Sequence, residues 1–269
     1  VAIVALHSAA TGLSALSTQI DVIANNLANS NTTGFKSFRA NLQDLLYQEK
    51  EQPGVENANG DTTPAGLYVG LGTRISNTQI DPTVGSPIDT GRELDAMIDG
   101  NGFFQVDIQQ ELGSGVGYTR AGNFFLNRDG DLVLGNSEGP RVVPNINIPD
   151  DALKVEISRD GTVNVYLPNQ VEPQNVGQLE LATFVNNAGL KPIGGTIFVE
   201  SAASGPPNLA APGEGNTGVI IQNFLESSNV DPVRELVDLI KTQRAFEMNS
   251  QSIQAADETL QVIGNLRRF

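Results

Sequence analysis

The chain has 269 residues, enough to bury a sizeable core as one large domain or two smaller ones. Its 16 basic and 31 acidic side chains leave a formal charge of −15, so the phosphate neutralisation behind nucleic-acid binding has no source and anionic membrane surfaces are disfavoured. There is no cysteine and His7 is the single histidine, which excludes disulfides and thiolate chemistry and leaves histidine-based metal or acid–base sites one residue to draw on.

The first helix is expected over residues 2–29. Leu6, Leu13, Ile20 and Leu27 recur seven apart, and Ala9, Leu16 and Ile23 follow the first three at a spacing of three, which is the seam of a coiled coil. Away from that seam Ser14, Ser17, Thr18, Gln19, Asn25 and Asn26 are polar, while Asp21 is the one charged side chain before Lys36. A solvated helix normally carries more charge, so this outer face reads as one that also meets protein; an ordinary amphipathic helix is the plainer alternative. Asn29, Ser30, Asn31 and Gly34 supply the stop. No Lys or Arg precedes Lys36, and polar residues from Ser8 to Asp21 interrupt the apolar ones, so a cleaved secretory signal is not expected here. No run of about 18 apolar residues is present, so no membrane insertion is expected.

Between the ends the period falls from about 3.5 to about 2. Gly- and Asn-rich residues 53–66 lead into strand-like runs at 96–99 and 102–108. Residues 124–127 and 132–134 flank an Arg128-Asp129-Gly130 turn, and Val155 and Ile157 face Val163, Val165 and Leu167 across Asp160-Gly161, so two hairpins are expected. Further runs lie at 178–185 and 196–200, followed by a Pro/Gly-rich stretch at 204–218. A second helix then begins at Asp231, a cap, with Pro232 at the first position, where a missing N–H costs nothing. Leu239, Phe246, Ile253 and Leu260 fall seven apart, supported by Leu236, Ile240, Ala256 and Ile263, with Thr242 and Asn249 as polar register-setting positions. The fold class read from this pattern is α+β: a discontinuous coiled-coil pair of N- and C-terminal helices around a central, mostly antiparallel β domain. Residues 1–33 and 228–269 form the helical part, 34–75 and 205–227 connect, and 76–204 form the β-rich part.

Chemical motifs are few. Gly135-Asn136-Ser137-Glu138-Gly139 fits the nucleophile-elbow pattern of serine hydrolases, yet Pro140 denies the following helix and His7 lies upstream of Ser137, opposite to the hydrolase order. A turn is the better reading. Asn127, Asp129 and Asp131 alternate like calcium ligands, but Leu132 stands where the loop needs Gly, so hairpin chemistry explains them. Gly100-Asn101-Gly102 lacks the third glycine and the Lys of a phosphate cradle. No acidic pair stands out for glycosidase chemistry, and without Trp a glycan-binding β module has little to stack on. No catalytic, metal or cofactor site is expected, and the chain reads as a non-enzyme.

Ile23-Ala24-Asn25-Asn26-Leu27-Ala28-Asn29 with Thr33-Gly34-Phe35-Lys36 closely resembles the N-terminal signature of flagellar rod and hook proteins. Glu226-Ser227-Ser228-Asn229-Val230, Glu235-Leu236-Val237, Gln243-Arg244-Ala245-Phe246-Glu247 and Asn249-Ser250 are similar to its C-terminal partner. Gly102-Phe103-Phe104-Gln105-Val106, Tyr118-Thr119-Arg120 and Gly177-Gln178-Leu179 extend the resemblance over nearly the whole chain. Residues 47–72, with Gln52-Pro53-Gly54 and Thr62-Thr63-Pro64-Ala65-Gly66-Leu67, look like the insertion that marks the distal-rod branch of the family; a proximal rod subunit or a hook protein is the alternative. Phe246 departs from a common Tyr, and the tail Leu266-Arg267-Arg268-Phe269 is extra.

The resemblance implies an inner coiled-coil layer, a short connecting domain and an outer β domain. It implies unfolded export without a cleaved signal to the periplasm-spanning rod of the basal body, where subunits form a helical tube carrying torque from motor to hook. Implied partners are copies of the chain itself, proximal rod subunits, the hook protein, ring bushing proteins and, transiently, the rod cap. The residues carried to the assembly interface are Leu6, Leu13, Leu16, Ile20, Ile23, Asn25, Asn26, Leu27, Asn29, Gly34 and Phe35 at one end. At the other they are Leu236, Leu239, Gln243, Arg244, Phe246, Asn249, Ile253 and Leu260. Residues 1–30 and 230–269 are expected to be poorly ordered in an isolated subunit and helical in the polymer.

Overall fold

The computed structural model describes residues 2–54, 64–109, 115–168, 170 and 172–266. Thr62, Thr63 and the Arg267-Arg268-Phe269 tail lie outside that set, as does the side chain of Ile263. The chain divides into two compact units. Residues 1–28, 38–79 and 231–269 make the first, and residues 29–37 and 80–230 the second. Of the segments read as connecting, 38–75 groups with the helices, while 34–37 and 205–227 group with the β-rich unit.

In the first unit, helix α1 spans Ala2–Ala28 and α2 spans Pro232–Leu266. The expected cap of α2 is formed: Asp231 Oδ1 accepts from the amides of Val233 at 3.0 Å and Arg234 at 3.2 Å, satisfying donors that the helix start would otherwise leave open. Strands absent from the sequence reading also belong here: β1 (Phe38–Asp44), β2 (Tyr47–Glu51), β3 (Leu67–Gly70) and β4 (Thr73–Ile80). β1 pairs with β4, and β2 with β3 in antiparallel register, Gln48 opposite Val69. Leu42, Tyr47, Leu67 and Tyr68 are exposed on these strands, so no apolar alternation announces them.

The second unit is built of β-strands with one 3-10 turn at Asn187–Gly189 among the described residues. Its largest sheet has seven strands and holds β7 (Phe103–Asp107), β8 (Val116–Thr119), β11 (Val142–Val143), β15 (Leu181–Thr183), β16 (Lys191–Gly194), β17 (Ile197–Val199) and β18 (Asn208–Ala210). Each of its pairings is antiparallel. Both expected hairpins are present: β9 (Phe124–Leu126) with β10 (Leu132–Leu134), and β12 (Lys154–Ile157) with β13 (Thr162–Tyr166), the latter extended by β14 (Gln174–Gln178). The run expected at 178–185 is broken, because β14 ends at Gln178 and β15 begins at Leu181 in another sheet. Two short pairs close the unit, β6 (Ala96–Asp99) with β19 (Val219–Gln222) and β5 (Pro87–Asp89) with β20 (Phe224–Glu226).

The inward residues of these strands form one core, with Ile98, Phe104, Phe124, Leu132, Val165, Leu181 and Ile220 buried. Phe104 and Phe124 meet edge to face at 5.1 Å. Tyr118 is buried beside Phe184, ring centroids 4.8 Å apart. Burial first, and the Glu200 carboxylate second, push its hydroxyl from 10.0 up to about 12. As pH rises the unfolded chain gives up this proton before the folded one, so stability is full below pH 10 and is lost as pH climbs toward about 12. Tyr118→Phe is expected to flatten the fall in denaturant midpoint across that interval relative to wild type; identical slopes would contradict the assignment.

Candidate functional site

Within the first unit two contacts fix how the helices pair. Asn26 Nδ2 donates to Glu235 Oε1 at 3.1 Å, and a Cβ on Gly12 would lie 3.3 Å from Asn249 Nδ2. Stepping fourteen residues back along α1 moves the contact fourteen residues forward along α2, so the pair is antiparallel. On α2 the side least open to solvent runs through Glu235, Leu239, Thr242, Phe246, Asn249, Ile253, Ala256 and Leu260, the expected heptad with Glu235 added, while Leu236 and Ile240, expected to support it, are exposed. On α1 the deepest positions are Gly12, Ala15, Ile23 and Asn26. Ile23 of the expected seam is buried, whereas at Leu13, Leu16 and Leu27 the deepest residue is the one just before; those leucines are half-buried, as are Leu6, Ala9 and Ile20.

Small side chains explain the shift, because they let α1 approach neighbours on two sides at once. One side meets α2. On the other Ser8 Oγ donates to Gly70 O at 3.3 Å and the Thr73 amide to Thr11 Oγ1 at 3.4 Å. Asn26 holds both: its Nδ2 donates to Phe38 O at 2.8 Å and its Oδ1 accepts from Phe38 N at 2.9 Å, as a strand partner would. Burial pushes the Glu235 carboxyl up, with the Asn26 hydrogen bond opposing. The polar side of α1, with Ser14, Ser17, Thr18, Asp21 and Asn25, is exposed. On α2, Leu236, Gln243 and Arg244 are exposed.

The second unit gathers three signature segments around one carboxylate. Glu226, at the end of β20, accepts through Oε1 from Lys36 Nζ at 2.5 Å and from the Gly85 amide at 2.9 Å, and through Oε2 from Arg120 Nη1 at 3.4 Å. All three charged side chains are buried. Lys36 Nζ also donates to Thr83 O at 2.6 Å, and Arg120 to Ile98 O at 3.2 Å and Gly100 O at 2.6 Å. Burial drives both the Lys36 ammonium and the Arg120 guanidinium down from their ordinary values, and Glu226 pulls each back in part. Asn229 ties the same stretches with neutral groups: Oδ1 accepts from Ser37 N at 2.7 Å, while Nδ2 donates to Asp81 O at 3.0 Å and Thr83 O at 3.2 Å. Gly34 is buried with φ +69°, its amide donating to Glu226 O at 2.8 Å; Asn29 and Phe35 nearby in sequence are half-buried. Lys36, Arg120, Glu226 and Asn229 were given no role from sequence, although each was a charged or amide residue inside a signature segment.

The two motif alternatives meet a different geometry. Asn136 Oδ1 accepts from the amides of Glu138 at 3.1 Å and Gly139 at 2.8 Å, so Ser137 sits in a side-chain-closed turn that leads to β11, not to a helix. The Asp131 carboxylate is occupied by donors: Asn147 at 3.0 Å, Asn127 and Asn145 at 3.2 Å, and Arg141 at 3.3 Å. Asn147 first, then Asn127 and Asn145, hold that carboxyl below its usual range. Positions spaced like cation ligands are thus filled by N–H groups.

Residues 6–36 match the family described as flagella basal body rod protein, 97–165 that of the flagellar hook protein FlgE/F/G D1 domain, and 221–266 that of the flagellar basal body rod FlgEFG protein C-terminal. The chain is 46% identical over 260 residues to the flagellar basal-body rod protein FlgG of Agrobacterium fabrum, covering 96% of this chain and 97% of that protein. The same-named proteins of Caulobacter vibrioides and Bacillus subtilis are 44% and 38% identical. Those alignments cover 98% of this chain, and 99% and 98% of the relatives respectively.

A Cβ at residue 34 would come within 2.5 Å of Ala121 N and 2.7 Å of the Arg120 carbonyl carbon. Gly139 shares the left-handed backbone, φ +57°, but meets nothing there. Gly139→Ala is expected to lower stability by about 1 kcal/mol from backbone strain alone, and Gly34→Ala by at least about 3 kcal/mol once overpacking is added. Equal losses in urea unfolding would show that the close approach carries no weight.

Proposed function

The chain belongs to the flagellar basal-body rod protein family, and on that premise we propose that it is a structural subunit of the distal rod, a non-enzyme that polymerises into a helical tube and carries torque from motor to hook. Its partners in this reading are copies of itself, proximal rod subunits and the hook protein, with ring bushing proteins around the rod and the rod cap in transient contact. The terminal helices form the inner layer, the β-rich residues the outer one, and the segments beside the helices the connection. The rod spans the periplasm.

One observation carries the reading: α2 keeps a second apolar face open. Val233, Leu236, Val237, Ile240, Met248 and Val262 are all exposed, Val233 to 72%. At about 100° per residue they fall within an arc of about 120° turned away from the seam that meets α1. A lone helix pair has no use for that surface, whereas neighbouring subunits would cover it. The exposed side of α1, with Ser14, Ser17, Thr18 and Asn25 around the single Asp21, suits the same burial, because neutral donors and acceptors pair without stranding charge. Leu6, Leu13, Leu16, Ile20, Leu27 and Leu236 retain surface for such contacts, while Ile23, Asn26 and Gly34 are enclosed by their own unit and serve assembly by shaping it.

Ile20→Asp and Ile253→Asp should each abolish rod assembly in electron micrographs while the β-rich unit keeps its near-UV signal, because a carboxylate at either half-buried site strands a charge. Normal rods from both variants would defeat the proposal. Amide exchange in α1 and α2 should slow on polymerisation. Equal protection of both helices in dilute subunit and in rods would count against a stem completed by its neighbours.

A further inference from the structure

The cluster around Glu226 holds an odd charge: two buried cations face one carboxylate. One positive charge is left over whichever cation is paired with Glu226; Lys36 lies nearer the carboxylate, at 2.5 Å against 3.4 Å for Arg120, yet it is the cation that can be dispensed with. Its acceptors do not depend on it, since Thr83 O is also reached by Asn229 Nδ2 at 3.2 Å and Glu226 Oε1 by the Gly85 amide at 2.9 Å. Removing the ammonium orphans neither acceptor, whereas removing the carboxylate leaves two like charges together out of water.

The two stretches that border this cluster are held unequally. Residues 223–230, through which the chain passes to α2, include β20, paired with β5 from Phe224 opposite Asp89 to Glu226 opposite Pro87. They are fastened further by the Asn223 amide to Asp95 O at 2.8 Å and the Ser227 amide to Ser86 O at 2.9 Å. Residues 29–37, through which the chain passes to α1, have no strand pairing. Among the bonds that attach them are Gly34 N to Glu226 O, Asn229 N to Phe35 O, Ser37 N to Asn229 Oδ1, Asp81 N to Ser37 O, and those of Lys36 Nζ to Thr83 O and Glu226 Oε1.

We infer that Lys36 is a built-in destabilising charge that makes residues 29–37 a detachable root for α1, while residues 223–230 remain a fixed root for α2. Local opening of the N-terminal root lets the ammonium reach water, and the pair left behind, Arg120 with Glu226, is already neutral. The groups that face Lys36 are Glu226, Arg120 and, more weakly, Asp81, and burial outweighs the attraction of the two carboxylates.

Site-resolved amide exchange on the full chain tests this. In wild type, Gly34 and Ser37 should exchange at least about tenfold faster than Asn223 and Ser227, as expected of a separately opening segment. Lys36→Met, which keeps the volume and drops the charge, should slow Gly34 and Ser37 by about fivefold or more and move Asn223 and Ser227 by less than about twofold. Lys36→Arg keeps the charge and should leave wild-type rates. The inference is overturned if all four amides share one rate in wild type, if Lys36→Met speeds Gly34 and Ser37, or if Lys36→Arg slows them as Met does.

Discussion

The Glu226 carboxylate is needed at once by three stretches of the second unit that are far apart in sequence. Lys36 comes from the segment after α1, Gly85 from the approach to β5, and Arg120 from the end of β8. None of the cations could remain buried without it, since an ion in the interior loses hydration worth several kcal/mol that only a partner restores. The chain must therefore reach residue 226 before its early segments can settle, and pairing over such separations is intrinsically slow. β19 and β20, which close on β6 and β5, belong to the same late stretch.

The first unit solves a different problem with different chemistry. Its helices are tied where Asn26 mimics a strand partner to Phe38 and reaches Glu235, and where Gly12 leaves room for Asn249. Amides and small side chains here allow α1 to touch α2 on one side and the strand segments on another. Larger residues, the leucines and Ile20, are left half-covered. A subunit whose helices pair along one seam and stay open on their other faces has the asymmetry that a polymer requires.

Much of this was legible in the sequence. Heptads placed both helices and the α2 seam, Asp231 and Pro232 marked where α2 starts, and Asp-Gly turns gave both hairpins. The strands of the first unit were not legible, because β1 to β4 expose Leu42, Tyr47, Leu67 and Tyr68 and so lack the alternation that a buried face imposes. The burial of Gly12, Ala15 and Asn26 rather than Leu13, Leu16 and Leu27 is hidden by the leucine spacing, although a Gly inside a helix is itself a packing signal. The charge cluster could not be read at all from spacing: Lys36, Arg120 and Glu226 become neighbours only through the topology, and the sole clue was that each stood alone as a charge in a signature segment.

Asn26 and Asn229 are the hubs of their respective units, and each works through an uncharged amide. Such a group neither takes up nor releases a proton in the range where proteins survive, and dissolved ions do not screen it as they screen exposed charges. The bonds of Asn26 to Phe38 and of Asn229 to Ser37 should consequently hold with the same strength in dilute buffer and in brine. The ionic surroundings can vary without loosening these places where the chain turns from one element to the next.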